Sequence, residues 1–260
     1  MSATSDTGNN SYTQFNIRNV TISQPLSWIR SGWQDLAHHP GASIAHGLLV
    51  TGLILVILLF ASNHVYLMAA AISGFLLVGP IMATGLCELS RRHERGESAS
   101  FDDSLDALGR NRTPLVRFAL ILLSFSVIWF LLSGLVLLAV IGNVAPDIDE
   151  SLWGGFLDIV SPLQLMLYVI VGGMLALIVF VFSVVAIPVI IDSSVSALDS
   201  MLISVRAVVA NPLAMLVWAG LIVALTAAGF LTYLIGMIVI YPLLGHATWY
   251  AYRDLVRNNV

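Results

Sequence analysis

Six stretches of this chain, residues 44–61, 65–87, 115–141, 163–191, 213–228 and 231–249, are so apolar that Arg117 is the one formal charge inside them. An apolar helix needs about 20 residues to cross the roughly 30 Å hydrocarbon layer of a bilayer. Lipid tolerates only helices or closed barrels, because backbone N–H and C=O groups find no water there. No two-residue alternation marks barrel strands, so helices are expected. The fifth and sixth stretches nearly touch, and a tight hairpin around Gly229 would divide them. The third and fourth would reach roughly 40 Å as helices and must tilt or project.

The composition agrees. The chain of 260 residues is 58% hydrophobic and 10% charged, with a mean hydropathy of +0.92. A soluble domain carries about 25% charged residues, so a soluble enzyme, a nucleic-acid binder and a disordered protein are excluded. Residues 1–24 are rich in Ser, Thr and Asn and read as a disordered polar tail. Residues 25–260 then form a single transmembrane domain.

All 11 basic residues are arginine. If the N-terminus is cytoplasmic, six crossings place Arg18, Arg30, Arg91, Arg92, Arg95, Arg110, Arg112, Arg117, Arg206, Arg253 and Arg257 on that same side. Asp147, Asp149, Glu150 and Asp158 then fall in the outer loop, where 151–160 reads as a short surface helix. This is the positive-inside pattern of a multi-pass inner-membrane protein with both termini in the cytoplasm.

A short amphipathic segment precedes each pair of stretches: 25–39, 101–112 and 197–210, ending near Pro40, Pro114 and Pro212. Ser100 with Asp103, and Ser196 with Asp199, have capping spacing. The second stretch of each pair holds a proline, Pro80, Pro188 or Pro242, expected to kink its helix. The expectation is therefore an all-α membrane protein of three helix hairpins, each preceded by an interfacial helix. The repeat units are about 25–92, 100–192 and 195–255. Trp28, Arg30 and Trp33 suit the headgroup layer, and Arg91 and Arg92 could meet anionic headgroups.

Candidate chemistry is sparse. No acid or base lies near mid-span, where an ion-coupled carrier buries one. His46 and His246 enter the apolar zone at similar depth and are weak candidates for haem ligation. Cys87 is the single cysteine, with His93 the nearest local base in sequence. No nucleotide, zinc or hydrolase motif occurs. Catalytic residues, a metal site and a cofactor are therefore not expected.

The segments Trp28-Ile-Arg-Ser-Gly-Trp-Gln-Asp-Leu-Ala-His-His-Pro40-Gly, Gly74-Phe-Leu-Leu-Val-Gly-Pro80 and Gly85-Leu-Cys-Glu-Leu-Ser-Arg-Arg92 resemble a bacterial family of integral membrane proteins of unknown function. Some of its members carry the label cytochrome c oxidase subunit I. The resemblance runs from about Gln24 to Arg253 and implies a six-helix inner-membrane protein. The oxidase function is not carried over, since that core subunit has about twelve helices and a fixed histidine set. The expected role is a non-enzymatic accessory, assembly or scaffolding factor that packs against membrane lipids, a larger membrane complex or its own copies. A small-molecule transporter or pore is the alternative, and a haem-binding redox subunit through His46 and His246 the second.

Overall fold

The computed structural model describes residues 14–61, 65–141 and 161–258. In chain order the elements are β1 (Phe15–Ile17), α1 (Gln24–His38), α2 (Pro40–Ala61), α3 (Val65–Glu94), α4 (Phe101–Arg110) and α5 (Arg112–Ile141). They continue with α6 (Pro162–Ser183), α7 (Ala186–Ser193), α8 (Ala197–Ala210), α9 (Pro212–Leu231), α10 (Met237–Leu255) and β2 (Val256–Asn258). The surface helix expected at 151–160 lies outside the described residues.

Among the described residues, four helical segments are long and apolar enough to cross a membrane: Pro40–Leu59, Arg112–Leu132, Val169–Ser193 and Pro212–Leu231. They fall within the first, third, fourth and fifth expected crossings or overlap their ends. Helix α3 follows the second. Helix α10 follows the sixth but is packed inward, with Met237, Tyr241, His246, Trp249 and Tyr252 buried.

The short helices α1, α4 and α8 each end one residue before a long helix, at His39, Asn111 and Asn211. Local chemistry explains the breaks. Proline follows directly at Pro40 and Pro212, and a proline disfavours helical backbone in the residue before it; Pro114 instead sits in the first turn of α5, where its missing N–H costs little. Asn211 Nδ2 donates to Ala207 O at 3.2 Å and to Arg18 O at 2.9 Å, while its Oδ1 accepts from Val20 N at 2.8 Å. At the starts, Ser100 and Asp103 form the expected capping box, and Ser196 Oγ accepts from Asp199 N at 3.1 Å.

Each of these short helices buries small or polar residues and leaves some large apolar side chains outside. In α8, Leu198, Leu202 and Val209 are exposed while Ser200, Ser204 and Ala207 are fully buried. In α4, Leu105 is exposed and Ser104 and Ala107 are buried. In α1, Leu26 and Trp33 are exposed and Asp35 is buried. Exposed apolar side chains in such numbers mark a surface that meets lipid or protein.

Three expectations need correction. Residues 1–13 of the expected tail lie outside the described residues, but its later part is ordered: β1 pairs antiparallel with β2, joining Phe15 to Asn258 and Ile17 to Val256, and Phe15 is buried. That pairing brings the two described ends of the chain to one face. The fourth stretch is not a kinked helix but two helices. Helix α6 stops at Ser183, and Pro188 is the third residue of α7, a first-turn position where its missing N–H costs little. Pro80 and Pro242 do fall inside helices, α3 and α10. The hairpin between α9 and α10 turns at 232–236, not at Gly229. Tyr233 and Leu234 take left-handed backbone there. Thr232 Oγ1 ties the turn, donating to Gly229 O and accepting from Gly236 N, each at 2.8 Å.

Candidate functional site

The buried polar groups collect where the ends of α1, α3 and α10 meet the start of α2. Asp35, in the last turn of α1, is fully buried. Its Oδ1 accepts from His93 Nδ1 of α3 at 2.5 Å and from the Tyr250 hydroxyl of α10 at 2.8 Å. Its Oδ2 has no hydrogen-bond partner among the described residues and lies 3.9 Å from His246 Nδ1. His246 is bracketed by two serines: Nε2 is 2.9 Å from Ser43 Oγ of α2, and Nδ1 is 2.8 Å from Ser90 Oγ of α3. Around the rim, the His38 ring stacks on His93 at 4.3 Å, and His39 meets both edge-on at 4.7 and 5.5 Å. Burial holds His39 below its ordinary pKa, helped by His38 and His93 and opposed by Asp35. Burial and the Asp35 carboxylate push the Tyr250 hydroxyl up, so it stays protonated and donates.

A second cluster lies beside the first. Glu88 of α3 is fully buried and accepts from three arginines. Arg91 is bidentate, at 2.7 Å through both Nε and Nη2, while Arg92 Nε is at 3.1 Å and Arg110 Nη2 of α4 at 2.8 Å. Burial alone would raise the Glu88 carboxyl, but the hydrogen bonds from Arg91, Arg110 and Arg92 hold it below its ordinary value. Arg92 also reaches Asp103 and Asp106 at 3.3 and 2.9 Å. Farther along, Arg253 of α10 pairs with Glu94 at 3.0 Å. Trp249 Nε1 donates to Glu94 at 3.2 Å, and the Tyr252 hydroxyl to Asp192 at 2.8 Å. Arg91, Arg95, Asp192 and Arg253 with Glu94 and Trp249 line a cavity of about 260 Å³.

This geometry redistributes the roles read from sequence. Trp28 does not face lipid: it is 1% exposed, edge-on to Trp218 at 5.6 Å, with its indole N–H on Asp254 at 2.7 Å. Trp33 and Arg30 are exposed, as an interfacial position requires. Arg91 and Arg92 are engaged by Glu88 rather than free for headgroups. His46 and His246 do not form an open ligand pair, because their four ring nitrogens are hydrogen-bonded already. His46 Nδ1 donates to Ala42 O at 3.0 Å, and its Nε2 is 3.3 Å from Ser104 Oγ. Cys87 is buried, with its thiol on Gly245 O at 3.6 Å rather than near His93. Among the described residues, no group of three or more His, Cys, Asp or Glu side chains is arranged to hold a metal ion.

Sequence reasoning missed Asp35, Tyr250 and the Glu88 hub. Asp35 and Tyr250 are 215 positions apart, so no local spacing links them. The usable signal was an acid on the otherwise apolar side of a short helix.

Residues 67–192, which contain Glu88 and its three arginines, match a family described as predicted integral membrane protein (DUF2189). Over that segment the chain carries the pattern of an uncharacterised family of integral membrane proteins. That description lends nothing to an oxidase label. No curated protein and no solved structure matches the chain.

Proposed function

We propose that this protein is a non-enzymatic accessory or scaffolding factor of the bacterial inner membrane, presenting rigid apolar faces to lipid and to a membrane partner or a second copy. It crosses the bilayer six times as three hairpins of one repeated plan, with both termini in the cytoplasm. The supporting observation is the set of large apolar side chains that the short helices leave exposed. Leu26, Trp33, Leu105, Leu198, Leu202 and Val209 point outward, while the ionisable groups beneath them are tied in pairs. A carboxylate held by three guanidiniums is a brace, because neither its charge nor its donors remain free to act on a substrate. The pairing of β1 with β2 supports placing both termini on one side.

The test is a photo-activated crosslinking residue at Trp33 or at Leu202, expressed in native membranes. Protein adducts, either a heterologous band or a dimer, are the expected result at one site or both. Monomer alone at both positions, together with solute uptake by proteoliposomes of the purified chain, overturns the reading in favour of transport.

A further inference from the structure

Arg117 is the one formal charge within the apolar stretches of the sequence. It sits in the crossing segment Arg112–Leu132, about 7 Å along α5 from its first residue. Arg91, Arg92, Arg95, Arg110 and Arg253 are all ion-paired. Arg117 makes no ion pair or hydrogen bond among the described residues and is exposed. An unneutralised guanidinium at this depth costs free energy unless an anion meets it or it reaches water.

The surroundings specify which anion. Arg117 stands at one end of a groove of about 300 Å³ between α5 and the start of α8. The rest of the lining is Leu120, Ile121, Ser196, Ala197 and Leu198. Ser196 is already occupied as the cap of α8, donating to Asp199 at 2.8 Å, so Arg117 is the free donor. Leu120 and Leu198 are 56% and 65% exposed, an apolar floor open to the side where hydrocarbon lies. A single cation above an apolar channel complements an anionic headgroup with an alkyl chain beneath it. A soluble phosphate would leave the leucines uncovered, and a zwitterionic lipid would bring its own cation against Arg117.

We propose that the groove between α5 and α8 is a binding site for one anionic phospholipid, its phosphate on Arg117 and an acyl chain along Leu120, Ile121 and Leu198. The inference rests on the membrane reading above and adds a lipid class and a place. It also gives α8 a purpose: the short helix forms the second wall of the groove, so lipid occupancy ties it to α5.

The experiment uses the full chain in nanodiscs of equal phosphatidylglycerol and phosphatidylcholine, released gently into native mass spectrometry. The wild type is expected to retain one phosphatidylglycerol in clear preference to phosphatidylcholine. Arg117→Gln removes the cation, and Leu198→Trp fills the groove while leaving the cation. Each is expected to lower that retention at least fivefold while the protein elutes as a single sharp species. Arg30→Gln, at an exposed arginine away from the groove, retains the lipid. Retention unchanged in both groove variants, or bound lipid without headgroup preference in the wild type, overturns the site and leaves the membrane reading intact. Failure of the wild type to enter nanodiscs at all overturns both.

Discussion

Replacing Glu88 by glutamine keeps the shape of the hub and removes its charge. Three guanidiniums then face a neutral amide, and the amide NH2 turns one former acceptor position toward arginine donors. Glu88 is fully buried and takes four charge-assisted hydrogen bonds at 2.7 to 3.1 Å. Removing one partner of a buried charge cluster costs about 3–5 kcal/mol, because the remaining charges lose their compensation. Arg110 and Arg92 sit nearer water and can rotate outward, which places the expectation at the lower end, about 3 kcal/mol. For a chain of this size roughly 2–4 °C accompanies each kcal/mol, so the melting temperature should fall by about 6–12 °C. The assay is thermal unfolding of purified protein in one detergent, followed by tryptophan emission, with Trp249 close to the hub. Arg110→Ala is the control: its side chain is 44% exposed, and an exposed pair contributes up to about 1 kcal/mol. A Glu88→Gln melting temperature within 2 °C of wild type, or a larger loss from Arg110→Ala than from Glu88→Gln, would refute the brace.

Two further outcomes can be checked in the same assay. At the crossing of α2 and α10, a methyl group on Gly47 would collide with the Ile238 carbonyl. Backbone cannot rotate aside, so Gly47→Ala should destabilise by about 1–3 kcal/mol. Gly52→Ala, five residues along the same helix with nothing within 4 Å, should be neutral or stabilising by up to about 1 kcal/mol. Acid should destabilise the protein in two steps. His39 is held below 6.5 when folded, so the unfolded chain takes its proton first. Its contribution is complete above 6.5 and is lost as pH falls through the folded value. Glu88 is held below 4.5, so its contribution is complete above 4.5 and lost below it as pH falls through the folded value. His39→Gln should flatten the upper limb of a melting-temperature profile and Glu88→Gln the lower. A profile with no slope below 6.5 in the wild type contradicts the His39 assignment.

What could be read in advance was local. Long apolar runs, the caps at Ser100 and Ser196, and the breaks before Pro40 and Pro212 depend on residues within one or two turns, and all appear in the structure. The direction each helix faces was harder. In water the apolar stripe marks the buried side, and by that rule Trp33 and Leu105 would point to the core. In lipid the stripe loses this meaning, since hydrocarbon receives Leu as readily as a protein interior does. Small and polar residues with partners then help to mark the buried side: Gly32 and Asp35 in α1 beside Trp28 and Leu36, Ser104 and Ala107 in α4, and Ser200 and Ser204 in α8 beside Met201 and Ile203. Small side chains allow close approach, as at Gly32, whose missing Cβ leaves room for the α10 backbone at Ala247. Polar ones supply bonds that lipid cannot. The partners themselves were out of reach, because His93 and Tyr250 meet Asp35 across 58 and 215 positions. Trp28 shows both effects together. Two tryptophans five residues apart looked equally interfacial, yet Trp28 has an aspartate to receive its N–H and is buried, while Trp33 has no such partner among the described residues and stays outside. In a chain this apolar, a polar residue that finds a bond therefore helps to decide which way its helix turns.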